Sequence, residues 1–184
     1  MVDTSKVAMS LLFVGLDGSG KTTLLRTLSK NLSHEILPTA GLEIHYISMD
    51  NFTAPVLVYD CSGQGRHREN WKTFHEYVDG IGFVIDLDDD DRLQFVKRAL
   101  EDTIKDEQVQ KKQLPIYLFL NKSDLLNRME YQTVKQYLDF DNLKKKSKGA
   151  ISWKEVSAFN FNEKELQECF QWLKDNRLNN KKFI

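Results

Sequence analysis

A chain of 184 residues, 41% hydrophobic and 29% charged, is long enough for one domain with a full core and short for two. A formal net charge of −1 excludes the global basic field of a nucleic-acid-binding protein and leaves no general pull toward anionic membranes. Two cysteines, Cys61 and Cys169, exclude a disulfide framework and favour a reducing compartment.

The apolar runs are too short for a membrane helix, and Met1–Ser10 lacks the basic, apolar pattern of a secretory signal. Val2 stands where myristoylation needs glycine, and the C-terminal NNKKFI holds no prenylation cysteine. A single cytoplasmic domain over residues 1–184 is therefore expected, monomeric and without a nucleic-acid partner.

Val7–Gly15 reads as a strand ending on glycine. Lys21–Leu32 follows as a helix with Leu24, Leu25, Leu28 and Leu32 on one face. Leu42–Met49 and Ala54–Tyr59 read as strands around an Asp50-Asn51 turn. Gly82–Leu87 is a short, almost wholly apolar run of the kind parallel sheets bury. The acidic run Asp88–Asp91 suits the positive end of a helix whose apolar face is Leu93, Val96, Leu100 and Ile104. Leu114–Leu120 is a further buried strand, Glu130–Asp139 a helix, and Lys144–Lys148 a solvated loop. Ala150–Val156 is the last strand. Asn162, with Glu165 three residues on, caps a final helix facing inward through Leu166, Cys169, Phe170 and Leu173. This alternation implies an α/β doubly wound, mostly parallel six-stranded sheet with helices on both faces, whose ligand sites lie beyond the carboxyl ends of the strands.

Gly15-Leu16-Asp17-Gly18-Ser19-Gly20-Lys21-Thr22 fits G-x-x-x-x-G-K-[ST] between the first strand and first helix. Glycines allow successive backbone N–H groups to turn toward phosphate oxygens, and the helix N-terminus adds its dipole. Asp17, Gly18, Gly20, Lys21, Thr22 and the following Thr23 are the expected phosphate contacts. Lys21 would reach the β- and γ-phosphates, and the Thr22 hydroxyl would meet Mg2+. Asn121-Lys122-Ser123-Asp124 follows a buried strand. A carboxylate at Asp124 can accept two N–H donors from guanine, a pair that adenine does not offer. Asn121 can reach the N7 side of the purine, and the stem of Lys122 can lie over the base. Ser157-Ala158 can place a backbone N–H on guanine O6. Read alone, each of these segments is also compatible with an ordinary turn.

Taken in order, these segments resemble the ADP-ribosylation-factor and Arf-like branch of the Ras-superfamily small GTPases over nearly the whole chain. The stretch Asp60-Cys61-Ser62-Gly63-Gln64-Gly65-Arg66 is similar to that of the Arf-like 6 (Bardet–Biedl) subgroup. The resemblance implies GTP/GDP and Mg2+ as cofactors and a P-loop fold. It implies Thr39 in a switch I motif closing over the metal and γ-phosphate, and Asp60 holding the metal through water. Gly63 N–H would bond the γ-phosphate, and Gln64 and Lys21 would carry slow hydrolysis. Asp17 would crowd the site, in keeping with slow unaided turnover. An activating protein would supply an arginine in trans, while Arg66 and Arg68 would face solvent. An exchange factor and GTP-dependent effectors would complete the cycle.

Leu42, Tyr59, Trp71 and Phe74 fall on the implied effector surface, although core packing explains Leu42, Tyr59 and Phe74 as well. Ala40 and Leu42 depart from the family's usual switch I residues, and Met1–Lys6 has no apolar face. Membrane contact is thus expected to be indirect, in vesicle or ciliary trafficking, with a peripheral membrane or ciliary-base location. A subunit like the β-subunit of the signal-recognition-particle receptor is the alternative. A nucleotide kinase would lack N-K-x-D.

Overall fold

The computed structural model describes residues 6–28, 33–37, 41–160 and 162–177. Four strands lie at its centre: β1 (Met9–Gly15), β4 (Val56–Cys61), β5 (Gly80–Asp86) and β6 (Ile116–Asn121), each buried along its whole length. Burial on both faces explains why their sequences run apolar instead of alternating. With β2 (Ser33–Leu37), β3 (Leu42–Ile47) and β7 (Ile151–Glu155) they form one sheet in the order β2-β3-β4-β1-β5-β6-β7. The pairs from β4 through β7 are parallel, while β2–β3 and β3–β4 are antiparallel.

The fold class is the expected one, with seven strands instead of six. The additional strand is β2, a five-residue edge strand whose residues carry too little pattern to declare themselves and which owes its conformation to pairing with β3. Asp50 and Asn51 form the expected turn, with Phe52 N–H donating to Met49 C=O.

Among the described residues seven α-helices complete the layers. α1 (Lys21–Leu28) and α7 (Glu163–Asn176) lie on one face, packing Leu24, Leu25, Leu28, Leu166, Cys169, Phe170 and Leu173 against Met9, Leu11 and Phe13 of β1. The alternate β1 residues Leu12 and Val14 face a second cluster built from α3 (Leu93–Lys105), α5 (Tyr131–Leu138) and α6 (Phe140–Lys146). This period of two lets one strand serve both layers. Phe13 sits with its ring centroid 5.1 Å from Phe119 and 5.8 Å from Phe170. Burying each such ring contributes about 2–3 kcal/mol.

Asn162 accepts a hydrogen bond from Glu165 N–H at 3.4 Å, so the expected cap of α7 is in place. The acidic run instead forms the turn before α3: Asp89 pairs with Arg92, and Leu93 N–H donates to Asp90 C=O.

Two short helices escaped the sequence reading, α2 (Lys72–His75), which follows a 3-10 turn at Gly65–Trp71, and α4 (Glu107–Lys112). The expected lysine loop is partly helical, because Lys144–Lys146 close α6 once Phe140 and Leu143 are buried. Cations in that last turn meet the negative end of the helix dipole. Among the described residues no helix is long and apolar enough to cross a membrane.

Candidate functional site

Four of the motif-bearing loops leave the sheet at the carboxyl ends of mutually parallel strands. β1 runs into the phosphate loop, β4 into Ser62-Gly63-Gln64, β6 into Lys122–Asp124, and β7 into Ser157-Ala158. Parallel register brings them level, with Phe13 beside Asp60 and Asp86 beside Asn121.

A cleft of about 340 Å3 is lined by Asp17, Lys21 and Thr22 on one side and by Asp60, Gly63 and Gln64 on the other. Lys21 is buried, and its Nζ donates to the carbonyls of Gly15 at 3.1 Å and Leu16 at 2.8 Å. Burial lowers its pKa, an effect that the Asp60 and Asp17 carboxylates oppose. Thr22 Oγ1 donates to Asp60 Oδ2 at 2.6 Å, joining the first turn of α1 to the end of β4. A hydroxyl beside a carboxylate is an oxygen-only donor pair of the kind Mg2+ prefers, so these residues fit that ion.

Gly63 lies against the phosphate loop so closely that a Cβ there would collide with the backbone of Leu16 and Asp17. Gln64 is exposed at the rim, its backbone N–H 3.4 Å from Ser62 Oγ. Thr39 lies outside the described residues.

The residues expected to read the base are also tied together by hydrogen bonds. Asn121 is buried; its Nδ2 donates to Ser19 C=O at 2.8 Å, and its Oδ1 accepts from Ala158 N–H at 3.2 Å. Gly20, at φ 86°, leaves room for this amide, since a Cβ would strike Asn121 Nδ2. Asp124 Oδ1 accepts from Ser157 Oγ at 2.5 Å, and Ser157 Oγ in turn accepts from the N–H groups of Phe159 and Asn160. Lys122 adopts φ 67° and pairs through Nζ with Asp86 Oδ2 at 2.5 Å. Gly18 and Thr23 occupy the loop and the first turn of α1, as expected.

Two arginines that the sequence reading did not place in the site reach the phosphate loop. Arg92 binds Asp17 twice, Nη1 to Oδ2 and Nη2 to the backbone carbonyl, both at 3.1 Å. Arg68 donates from Nε to Gly63 C=O at 2.8 Å and places Nη2 3.7 Å from Asp17 Oδ1. Arg68 is thus not the solvent-facing side chain expected of it. Burial acts against the Asp17 carboxylate, but its backbone hydrogen bond and Arg92 prevail and hold its pKa below the usual value. Position alone could have flagged Arg92, which directly follows the acids at the end of β5.

Most of the residues expected on the effector surface are packed in this conformation. Leu42, Tyr59 and Trp71 are buried, so they display no surface in this conformation. Trp71 Nε1 donates to Ser62 C=O at 3.0 Å and its ring meets Phe83 edge-on, while half-buried Phe74 packs on Tyr59 at 5.3 Å. Aromatic bulk next to a buried sheet gains more from packing than from display. Arg66, Glu69, Lys72 and Thr73 are exposed instead. Cys61 is buried and its thiol is pushed up to about 12 by burial and by Asp60, which makes it an inert filler.

Known proteins resemble this chain in sequence and in fold. The chain is 31% identical over 172 residues to ADP-ribosylation factor-like protein 6 of Danio rerio, covering 92% of this chain and 89% of that one. It is 34% identical over 137 residues to ADP-ribosylation factor-like protein 3 of Saccharomyces cerevisiae, covering 71% and 68%. Its fold superposes with a TM-score of 0.76 on the Arl6 BBS3 small GTPase from Trypanosoma brucei, solved with the bound nucleotide analogue GppNp, at 23% identity and over 91% and 95% of the two chains. The model of the ADP-ribosylation factor family matches residues 1–177, and the chain therefore belongs to that family of small GTPases, GTP hydrolases whose cofactors are GTP/GDP and Mg2+.

Proposed function

We propose that this GTPase works as a nucleotide-dependent switch, in which the GTP state recruits effector proteins and slow hydrolysis resets it. The observation that carries this reading is the seat of Gly63 against the phosphate loop, on the same short bend whose Asp60 meets Thr22. A γ-phosphate bound beside that loop has to engage or displace the bend, and the bend continues directly into the 3-10 turn and α2, which carry Trp71 and Phe74. A local phosphate contact therefore becomes a rearrangement of packed side chains.

In this reading Lys21 and the loop N–H groups of Gly18 and Gly20 hold the phosphates, with Asp17 and Thr23 beside them. Thr22, Thr39 and, through water, Asp60 would hold Mg2+. Bound there, the ion would neutralise charge on the β- and γ-phosphate oxygens. Gln64 orients the attacking water. Asn121, Lys122, Asp124, Ser157 and Ala158 select guanine. Arg68 and Arg92 are held by Asp17, Asp89 and the Gly63 carbonyl, which favours an arginine supplied in trans by an activating protein. Leu42, Tyr59, Trp71 and Phe74 become an effector surface only when the GTP state unpacks them.

Relatedness to Arf-like proteins favours a task in membrane or ciliary trafficking, with membrane contact made through a partner. The deciding experiment loads the full chain with a non-hydrolysable GTP analogue or with GDP and compares Trp71 fluorescence and the partners captured from lysate. Different emission and different captured partners are expected. Identical emission together with identical partners in the two states would sink the switch reading.

A further inference from the structure

Strands β3 and β4 bring together three metal-ligating side chains beyond the residues assigned to phosphate. Glu43 and His45 stand two apart on β3 and so point to one face of the sheet. Asp60 is the direct cross-strand partner of Glu43. His45 Nε2 lies 3.6 Å from Glu43 Oε2 and 3.7 Å from Asp60 Oδ2, and ligand atoms from the three residues all fall within 4.8 Å of one another. A tetrahedral ion with bonds of about 2.1 Å spaces its donors about 3.4 Å apart, so contraction by a few tenths of an ångström would complete the geometry.

His45 and Asp60 are buried, and Glu43 is half-buried. Glu43 Oε2 is itself a buried oxygen without a hydrogen bond among the described residues. Among the described residues, the His45 imidazole and the guanidinium of Arg26 on α1 each lie 3.6 Å from it. The Arg26 side chain is 59% exposed, so it can swing into water at little cost when a cation takes its place. Glu43 and Asp60 both line the cleft, which gives an ion a path in and a free coordination position.

We propose that Glu43, His45 and Asp60 form a binding site for a divalent transition-metal ion of the Zn2+ or Co2+ type. One imidazole with two carboxylates is a borderline donor set that suits such ions, whereas Mg2+ prefers oxygen alone. Three protein ligands with an open fourth position is also the arrangement of an exchangeable zinc site. Asp60 belongs to the oxygen pair with Thr22 as well, so an ion held here acts on the same carboxylate. That coupling rests on the nucleotide assignment; occupancy of the site does not.

The test titrates Co2+ into the full chain with GDP and excess Mg2+ present, following visible absorption. Mg2+ fills an oxygen-only site, so Co2+ reports the histidine site. Intense tetrahedral d–d bands saturating at one equivalent are expected, displaced by Zn2+. His45→Gln should abolish them, and Glu43→Gln, at a half-exposed position, should weaken Co2+ binding at least about tenfold. Circular dichroism establishes that each variant is folded. Absence of the bands in wild type, or wild-type affinity and spectrum in both folded variants, overturns the site. A chain that failed to bind GDP would still give the bands, so the two assignments fail separately.

Discussion

Asn121 joins the two halves of the nucleotide cleft: its Nδ2 donates to Ser19 C=O at 2.8 Å, across 102 residues of sequence, while its Oδ1 accepts from Ala158 N–H. One buried amide thus ties the phosphate loop to the loops that follow β6 and β7. Asn121→Ala leaves a buried carbonyl and a buried N–H without partners, a loss of about 2–4 kcal/mol for the two. Urea denaturation should show a loss of that size, and the off-rates of GDP and GTP should rise together. An unchanged midpoint would mean that the two loops are held apart from Asn121.

Asp124 is the residue we propose to carry the choice of base. Its carboxylate is oriented by the Ser157 hydroxyl at 2.5 Å, and Ser157 is itself held by two backbone N–H groups of its own turn. An amide in its place offers an N–H where guanine also offers donors, and it complements the second carbonyl of xanthine. Asp124→Asn should therefore weaken GTP at least about a hundredfold, roughly two lost charge-assisted hydrogen bonds, and bring XTP ahead of it in competition binding. Retained preference for GTP in a folded variant would remove Asp124 from base recognition.

Gly63 supports a separate prediction. Any Cβ at this position meets the backbone of Leu16 and Asp17, which cannot yield as a side-chain tip would. Gly63→Ala should push the bend off the phosphate loop, lower stability by about 1–3 kcal/mol and uncouple hydrolysis from nucleotide binding. Single-turnover hydrolysis should fall at least about tenfold while GDP affinity changes little. Hydrolysis at the wild-type rate would show that the contact is incidental.

The parts of this site that were legible in sequence are the local ones. Gly15–Thr22 and Asn121–Asp124 announce themselves because their chemistry needs fixed spacing along a few residues. The contacts that position them were not legible. Arg92 meets Asp17 from 75 residues away: its place after the β5 acids puts it near the site, but nothing in either segment names its partner. The family resemblance places Leu42, Tyr59 and Trp71 on a surface, with core packing the alternative for Leu42 and Tyr59; an apolar or aromatic residue reads alike whether it packs or displays, and only the three-dimensional environment shows them buried. β2 and α4 were missed for a related reason. They are short, and β2 takes its conformation from pairing with β3 rather than from its own pattern.

His75 offers a test of how the helix that follows the Gly63 bend is anchored. It is buried on α2 with Nδ1 3.0 Å from Asp106 Oδ1, and Asp106 also caps α4 by accepting from Gln108 and Val109 N–H. Lys112, from the end of α4, donates to the carbonyls of Glu76 and Val78 just beyond α2. Burial pushes the His75 pKa below its ordinary value of 6.5; Asp106 opposes the shift without reversing it, while Lys72 and Lys112 add to it. The folded protein therefore holds this imidazole neutral at pH values where the unfolded chain protonates it. The contribution to stability is fully present above pH 6.5 and is lost as pH falls from there through the folded-state pKa, at up to about 1.4 kcal/mol per pH unit. Melting temperature measured against pH should drop less steeply below 6.5 in His75→Gln than in wild type. Parallel profiles for the two proteins would mean that His75 titrates alike folded and unfolded, and that the α2–α4 contact is not sensitive to pH.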